Sequence, residues 1–398
     1  MTEWRKYYFK DIFQIIDGDR GVNYPKQSDL YSEGFCLFLN TGNVTSSGFN
    51  FEKNQFITKE KDKMLRKGKL RRGDIVFTTR GTVGNVALYD DSIPYENIRI
   101  NSGMVILRTN ESVANKEFIF QILKSNYKKK LISPFISGSV QPQLPIKDLK
   151  EISLPLPPLP EQKAIAEVLS SLDDKIDLLT RQNNTLEDLG QAFFRKWFVE
   201  DADEKLKKYP LSELMVIQNG FAFRSRDYQD AGKYKIVTIK NVQDGFIDTS
   251  GTTFLNQLPV GMPDYVLLTI GDVLISLTGN VGRVGIVVED NLLLNQRVAK
   301  ISPYNPEYLP FLYFYFRNET TREYLINLAH GTAQANLSPI ETLKTEVSFS
   351  KTLIKKYSEL FMPMYQKIIK NKQQIIVLQK LRDTLLPKLI SGEIRLKM

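Results

Sequence analysis

Two stretches of the chain place apolar residues at alternating spacings of four and three. In the first, Ile165, Leu169, Leu172, Ile176, Leu179, Asn183, Leu186, Gly190, Phe193 and Trp197 fall on one line. In the second, Tyr357, Phe361, Met364, Ile368, Asn371, Ile375, Leu378, Arg382, Leu385 and Leu389 do the same. This is the seam of a coiled coil, and it predicts two long helices, the first over about 161–197. A Pro155-Leu-Pro-Pro-Leu-Pro160 run announces that helix, since proline is excluded from helix interiors but tolerated before a start. Pro387 is expected to end or bend the second. A helix of this length spans roughly 55 Å at 1.5 Å per residue, too long for one ~150-residue domain to bury, so it should bridge two. One Asn interrupts each seam. In an antiparallel pair related by a twofold near position 181, Asn183 meets Asn371, and a buried Asn pair fixes register.

The remainder reads as a mixed pattern of short β-branched runs punctuated by glycine, with helical patches around Lys116–Lys129 and Pro306–Leu328. It also repeats. Residues 71–88 (RRGDIVFTTRGTVGNVAL) and 269–286 (TIGDVLISLTGNVGRVGI) align at an offset of 198. That offset pairs Gly73 with Gly271, Asp74 with Asp272, Gly81 with Gly279 and Gly84 with Gly282. It also pairs Asn43-Val44 with Asn241-Val242. The offset slips to 193 where Gly138, Gln141 and Leu144 align with Gly331, Gln334 and Leu337, and to 192 at Ile176 and Ile368. In a chain of 398 residues this is one unit of about 200 residues written twice.

Composition removes several classes. The single cysteine, Cys36, excludes an intramolecular disulfide, and with the single histidine, His330, it excludes a structural Cys/His zinc site. His330 precedes a glycine at an expected helix end. No apolar stretch reaches the ~20 residues of a membrane span and the N-terminus has no signal-like core, so the expected location is the cytoplasm. The net charge of +9 is a weak hint of an anionic partner. By segment, residues 1–154 hold 24 Lys+Arg against 17 Asp+Glu and residues 350–398 hold 11 against 3, whereas 155–209 hold 8 against 11 and 210–349 hold 11 against 14. The excess therefore lies in the first mixed segment and the last helix. The Glu200-Asp-Ala-Asp-Glu204 cluster reads as a solvated linker.

Particular stretches sharpen this picture. They are Asp17-Gly-Asp-Arg-Gly with Tyr24-Pro25, Leu154-Pro-Leu-Pro-Pro-Leu-Pro-Glu-Gln-Lys163, Ser171-Leu-Asp-Asp-Lys-Ile-Asp177, Asn219-Gly-Phe-Ala-Phe223 and Leu385-Leu-Pro-Lys-Leu-Ile-Ser-Gly-Glu-Ile394. Together they make the chain resemble the specificity subunit of type I restriction–modification systems. The resemblance implies an α+β fold: two mixed α/β target-recognition domains alternating with two long helices that pair as an antiparallel coiled coil, a pseudo-twofold internal repeat. The implied division is 1–154 and 210–349 as recognition domains, 155–200 and 350–398 as helices, and 201–209 as a charged linker. It further implies a non-catalytic subunit. Each recognition domain reads one half of a bipartite double-stranded DNA target, and the helices set the spacer and dock two methyltransferase subunits. Motor–nuclease subunits join for restriction. S-adenosylmethionine, ATP and Mg²⁺ belong to those partners, with no cofactor or metal expected in this chain. One departure is Phe349-Ser-Lys-Thr-Leu-Ile-Lys-Lys, which opens the second helix without the Pro-Leu-Pro run.

The residues themselves agree with a subunit lacking catalysis. No G-x-G-x-x-G or G-x-x-x-x-G-K-[ST] loop is present, and Asn305-Pro-Glu-Tyr308 lacks the second proline of an adenine-methyltransferase motif. The competing classes are a stand-alone restriction endonuclease or methyltransferase, and a coiled-coil scaffold without base reading. DNA-contact candidates are the basic run Arg66, Lys67, Lys69, Arg71 and Arg72, and Arg224 with Arg226. Two turns add Thr78, Thr79 and Arg80, and Ser276, Thr278, Asn280 and Arg283. The matching loops add Gln141, Gln143, Gln334 and Asn336. Arg, Asn and Gln pair bidentately with base edges, and basic runs meet phosphates. For the turn hydroxyls the competing reading is turn chemistry alone. The helix-pairing set is Leu169, Leu172, Ile176, Asn183 and Leu186 against Phe361, Met364, Ile368, Asn371, Ile375 and Leu378.

Overall fold

The structure, a computed structural model, describes residues 4–138, 141–201, 208–329, 336–348 and 350–396. His330 and Gln334 lie outside the described residues. The chain divides into two compact units, Met1–Asp174 with Gln379–Met398, and Lys175–Leu378.

In the first unit, strands Phe13–Asp17, Met104–Thr109, Ile75–Thr78 and Val86–Leu88 form an antiparallel sheet in that order. A second sheet sets Cys36–Leu39 between Phe56–Ile57 and Ile98–Ile100, the last pairing being parallel. Ile75–Thr78 is buried at every residue, which is why it reads as a nearly continuous apolar run; Ile98–Ile100 is buried too, its central Arg99 paired with Asp62 at 2.6 Å. Helices Lys116–Lys124 and Tyr127–Ile132 cover the larger sheet through Phe118, Ile119 and Ile122. Cys36 sits at the foot of the smaller one, and burial, then the adjacent Asp62 carboxylate, push its thiol up to about 12.

The second unit repeats this order. Met215–Asn219, Val298–Pro303, Val273–Ser276 and Val284–Ile286 follow one another in its larger sheet, with Gly245–Phe246 added in parallel at the edge. Tyr234–Val237 pairs in parallel with Leu292–Leu294 in the smaller one. Helices Leu309–Arg317 and Glu319–Ala329 stand where the first unit has its own pair. Short ribbons close the mixed segments, Arg5–Tyr8 with Ser153–Leu156 and Lys208–Pro210 with Glu346–Ser348.

The long helices are Leu159–Arg195 and Lys351–Ile390. Within the second unit they pair antiparallel: Asn371 Nδ2 donates to Asn183 Oδ1 at 2.9 Å, and Tyr357 donates to the Gly190 carbonyl at 2.8 Å. Within the first unit, Ile165, Ala166 and Leu169 pack with Leu386, Leu389 and Ile390, and Arg382 pairs with Asp173 at 2.8 Å. Partner numbers fall on one helix as they rise on the other, and the Asn pair stands in the register that the seams predict. Of the pairing set, Leu169, Asn183, Phe361, Ile368 and Asn371 are buried, and Leu172, Ile176, Leu186, Met364, Ile375 and Leu378 are half-buried. The fold is thus α+β with an internal pseudo-twofold repeat and an antiparallel helix pair. Pro387 does not end the second helix, which runs to Ile390. Pro363 and Pro387, and the residues four before each, are exposed, so the carbonyls they leave unbonded can accept from water.

Candidate nucleic-acid interface

The repeated motif builds the same turn in each unit. Asp74 Oδ2 accepts the Arg71 N–H at 2.7 Å and Asp272 Oδ2 accepts that of Thr269 at 2.8 Å, which fixes the entry to the central strand. At the strand end, Thr78 Oγ1 donates to the Thr82 carbonyl and accepts the Asn85 N–H at 2.9 Å. Ser276 Oγ donates to Asn280 and accepts the Arg283 N–H at 3.1 Å. The glycines that follow have positive φ, 71° and 91° at Gly81 and Gly84 and 73° and 76° at Gly279 and Gly282, a region that disfavours other residues.

These bonds supply the turn chemistry that competes with ligand contact for the turn hydroxyls. Thr78, Thr79 and Ser276 are buried; the Thr78 and Ser276 hydroxyls close their own turns, and Thr79 donates to the Gly103 carbonyl of the facing turn at 3.1 Å. Arg283 is half-buried and holds the Gln243 side chain at 2.9 Å, so it braces a neighbouring loop.

Beside each turn lies a cleft. In the first unit Arg80 bridges to Gln143, Gln143 pairs back to Ser137, and the Leu144 N–H donates to Thr79 at 2.9 Å. In the second, Thr278 bridges to Asn336 and the Leu337 N–H donates to Leu277 at 2.8 Å. The first cleft, about 240 Å³, is lined by Asp17, Arg20, Thr79, Arg80 and Gln143. The second, about 850 Å³, is lined by Asn219, Thr278, Gln296, Arg297 and Asn336. Arg80 and Gln143 therefore come together in the first unit, and Thr278 and Asn336 in the second. Gln141 and Asn280 are exposed nearby in sequence but line neither cleft. Asp17, Arg20, Asn219, Gln296 and Arg297 escaped the sequence reading, although Asp17, Arg20 and Asn219 lie in the stretches that carry the resemblance.

The basic run is exposed but largely tied down. Lys69 reaches Asp62 at 2.7 Å, where Arg99 also binds at 2.6 Å. Burial raises the Asp62 carboxyl, but these two hydrogen bonds outweigh it and hold it below its usual value. Arg66 lies 3.6 Å from Asp19, and Arg72 stacks 4.1 Å over the Tyr89 ring and lies 3.8 Å from Asp91. Lys67 and Arg71 point outward. A side chain on Gly68 would meet Gly18 Cα at 3.2 Å, so the run passes beside the Asp17–Arg20 wall of the cleft. Arg224 is exposed, and Arg226 is exposed 3.8 Å from Asp227. Among the described residues no cluster of three or more His, Cys, Asp and Glu side chains could hold a metal, and no helix is long and apolar enough to cross a membrane.

Comparison with known proteins meets these features. A family model described as the type I restriction modification DNA specificity domain matches residues 1–188 and 203–348, one match per repeat. The type I restriction enzyme MjaIX specificity subunit of Methanocaldococcus jannaschii is 27% identical over 351 residues, 82% of this chain and 78% of that protein. The HindI specificity subunit of Haemophilus influenzae is 23% identical over 99% of this chain and all of that one. The crystal structure of a type I restriction–modification S subunit from Mycoplasma genitalium shares the fold, with a TM-score of 0.61, 20% identity and coverage of 99% and 96% of the two chains. The matched repeats, the paired helices and the doubled cleft converge on one assignment: this chain belongs to the type I restriction–modification DNA specificity family.

Proposed function

We propose that this chain is the DNA-recognition subunit of a type I restriction–modification complex, with no catalytic centre of its own. Residues 1–154 and 210–349 are its two recognition domains, each reading one half of a bipartite double-stranded target. The paired helices set the spacer between half-sites and dock two methyltransferase subunits, and motor–nuclease subunits join for restriction. S-adenosylmethionine, ATP and Mg²⁺ act in those partners, and the complex works in the cytoplasm. Base flipping and methyl transfer then fall to the partner enzyme. The observation that carries this reading is the polar cleft found at the same place in both repeats.

Its test is a methylation map of cells expressing this subunit with its methyltransferase. A bipartite motif with adenine methylated in both halves is the expected result. Turnover by the purified chain alone, given DNA, Mg²⁺ and S-adenosylmethionine, overturns it in favour of an enzyme. A footprint that is equal on all sequences and lost with salt overturns it in favour of a scaffold.

A further inference from the structure

The two clefts carry their arginine on opposite walls. Strand pairing sets Met104 against Thr78 and Val298 against Ser276, so Met104 and Val298 are equivalent. One residue earlier, Gly103 corresponds to Arg297. On the facing turn, Arg80 corresponds to Thr278. The backbone confirms the match: Thr79 and Arg80 N–H groups donate to the Gly103 carbonyl at 2.9 and 3.2 Å, and the Leu277 N–H donates to that of Arg297 at 3.1 Å. The floor matches too. A side chain on Gly18 would strike the Asn101 carbonyl, and one on Gly220 would strike that of Asn295. One scaffold thus presents a guanidinium from the strand-end turn in the first unit and from the opposing turn in the second. In the first unit a Cβ at Gly103 would lie 2.8 Å from Thr41 Cγ2, so Thr41 would have to shift before the second arrangement fitted there.

Both arginines are available. Arg80 and Arg297 are exposed, and neither side chain makes a hydrogen bond or ion pair among the described residues. The other arginine of the first cleft, Arg20, is 3.3 Å from both Asp17 and the Ser102 carbonyl. In the second unit Arg226, Arg283 and Arg317 hold Asp227, Gln243 and Glu187. An unpaired guanidinium gives up only water when it binds, whereas a paired one must first leave its carboxylate. Around Arg297 the cleft adds the exposed Gln296. Residues 210–349 carry more acid than base, so general attraction to phosphate is weak there and a directed contact weighs more.

We propose that Arg297 determines specificity in the half-site read by the second unit, holding guanine O6 and N7 through its two-pronged guanidinium, and that Arg80 does so for the first. This rests on the DNA-reading function above. The test maps methylation motifs for the full chain with its methyltransferase, wild type against Arg297→Ala, Arg297→Lys and Arg80→Ala. Arg297→Ala is expected to make one guanine position of one half-site degenerate, with discrimination there falling roughly 5- to 150-fold and the other half intact. Arg297→Lys keeps the charge but loses the fork, and does not restore that position. Arg80→Ala relaxes one position in the opposite half. An unchanged motif in Arg297→Ala overturns the assignment. So does a uniform fall in methylation that lysine repairs, which marks a phosphate contact. A wild-type motif that is not bipartite instead overturns the underlying function, so the two failures are distinct.

Discussion

Ser276 illustrates how one side chain can be read in two ways. In sequence, a hydroxyl leading into a glycine turn suits both ligand contact and turn closure. The structure resolves the choice by burial: its Oγ accepts the Arg283 N–H inside the turn. Replacing it by alanine leaves that N–H and the Asn280 carbonyl without their partner, which costs about 1–3 kcal/mol for a buried group. Ser276→Ala should therefore lower the urea midpoint of the second unit and leave the DNA motif unchanged. A stable variant with a changed motif would reverse the assignment. Arg297 was hidden for another reason. The repeat offset drifts from 198 towards 193 between the turn and the following loop, and the equivalent of Arg297 is a glycine. No residue-type match could reveal it, and only strand register aligns the two. Asp74 and Asp272 repeat the lesson: the first takes Arg108 from directly across the sheet, the second takes Lys300 from a position two residues away on the same face.

At the scale of elements, the long helices were legible because a 4-3 apolar seam of this length has few other solutions. Their polar interruptions carry the sharper predictions. Asn183 and Asn371 satisfy each other only in part, since Asn371 Oδ1 is buried without a donor. Asn371→Leu alone leaves the buried Asn183 Oδ1 without its donor and should destabilise. Asn183→Leu with Asn371→Leu should exceed the wild type in stability while loosening register, so the two changes are non-additive. A double variant weaker than both single ones would refute this account. In the first unit, Asp173 holds Arg382, Gln121 and Lys124 at 2.8–3.0 Å. Burial raises its carboxyl, but these hydrogen bonds prevail and hold its pKa below the usual value. A depressed pKa contributes stability that is complete above about pH 4 and is lost as pH falls through the native value. Asp173→Asn should cost about 1–3 kcal/mol at neutral pH and progressively less as the pH falls through the native value, as measured by denaturant unfolding across pH. A loss that stays constant across the acid range would show that the pair is electrostatically inert.

For the whole molecule, the net charge of +9 misleads, because it averages a basic first segment with a mildly acidic segment 210–349. What the two halves share is geometry, the repeated turn and cleft, and what joins them in sequence is a pair of helices that carry the same 4-3 seam spacing. Because the pair is antiparallel, one helix cannot lengthen without the other. Adding seven residues to both preserves the 4-3 seam, which repeats every heptad, and adds about 10 Å. At 3.4 Å per base pair, the proposed spacer role then calls for a target about three base pairs longer between unchanged half-sites. Three base pairs also turn the second half-site by roughly a third of a helical turn, so methylation efficiency should fall even at the new optimum. Insertion into one helix alone breaks the Asn183–Asn371 register and should destabilise the chain. A methylation map of the double insertion reads spacer and half-sites together. A spacer unchanged from the wild type would mean that the distance between half-sites is set outside this helix pair.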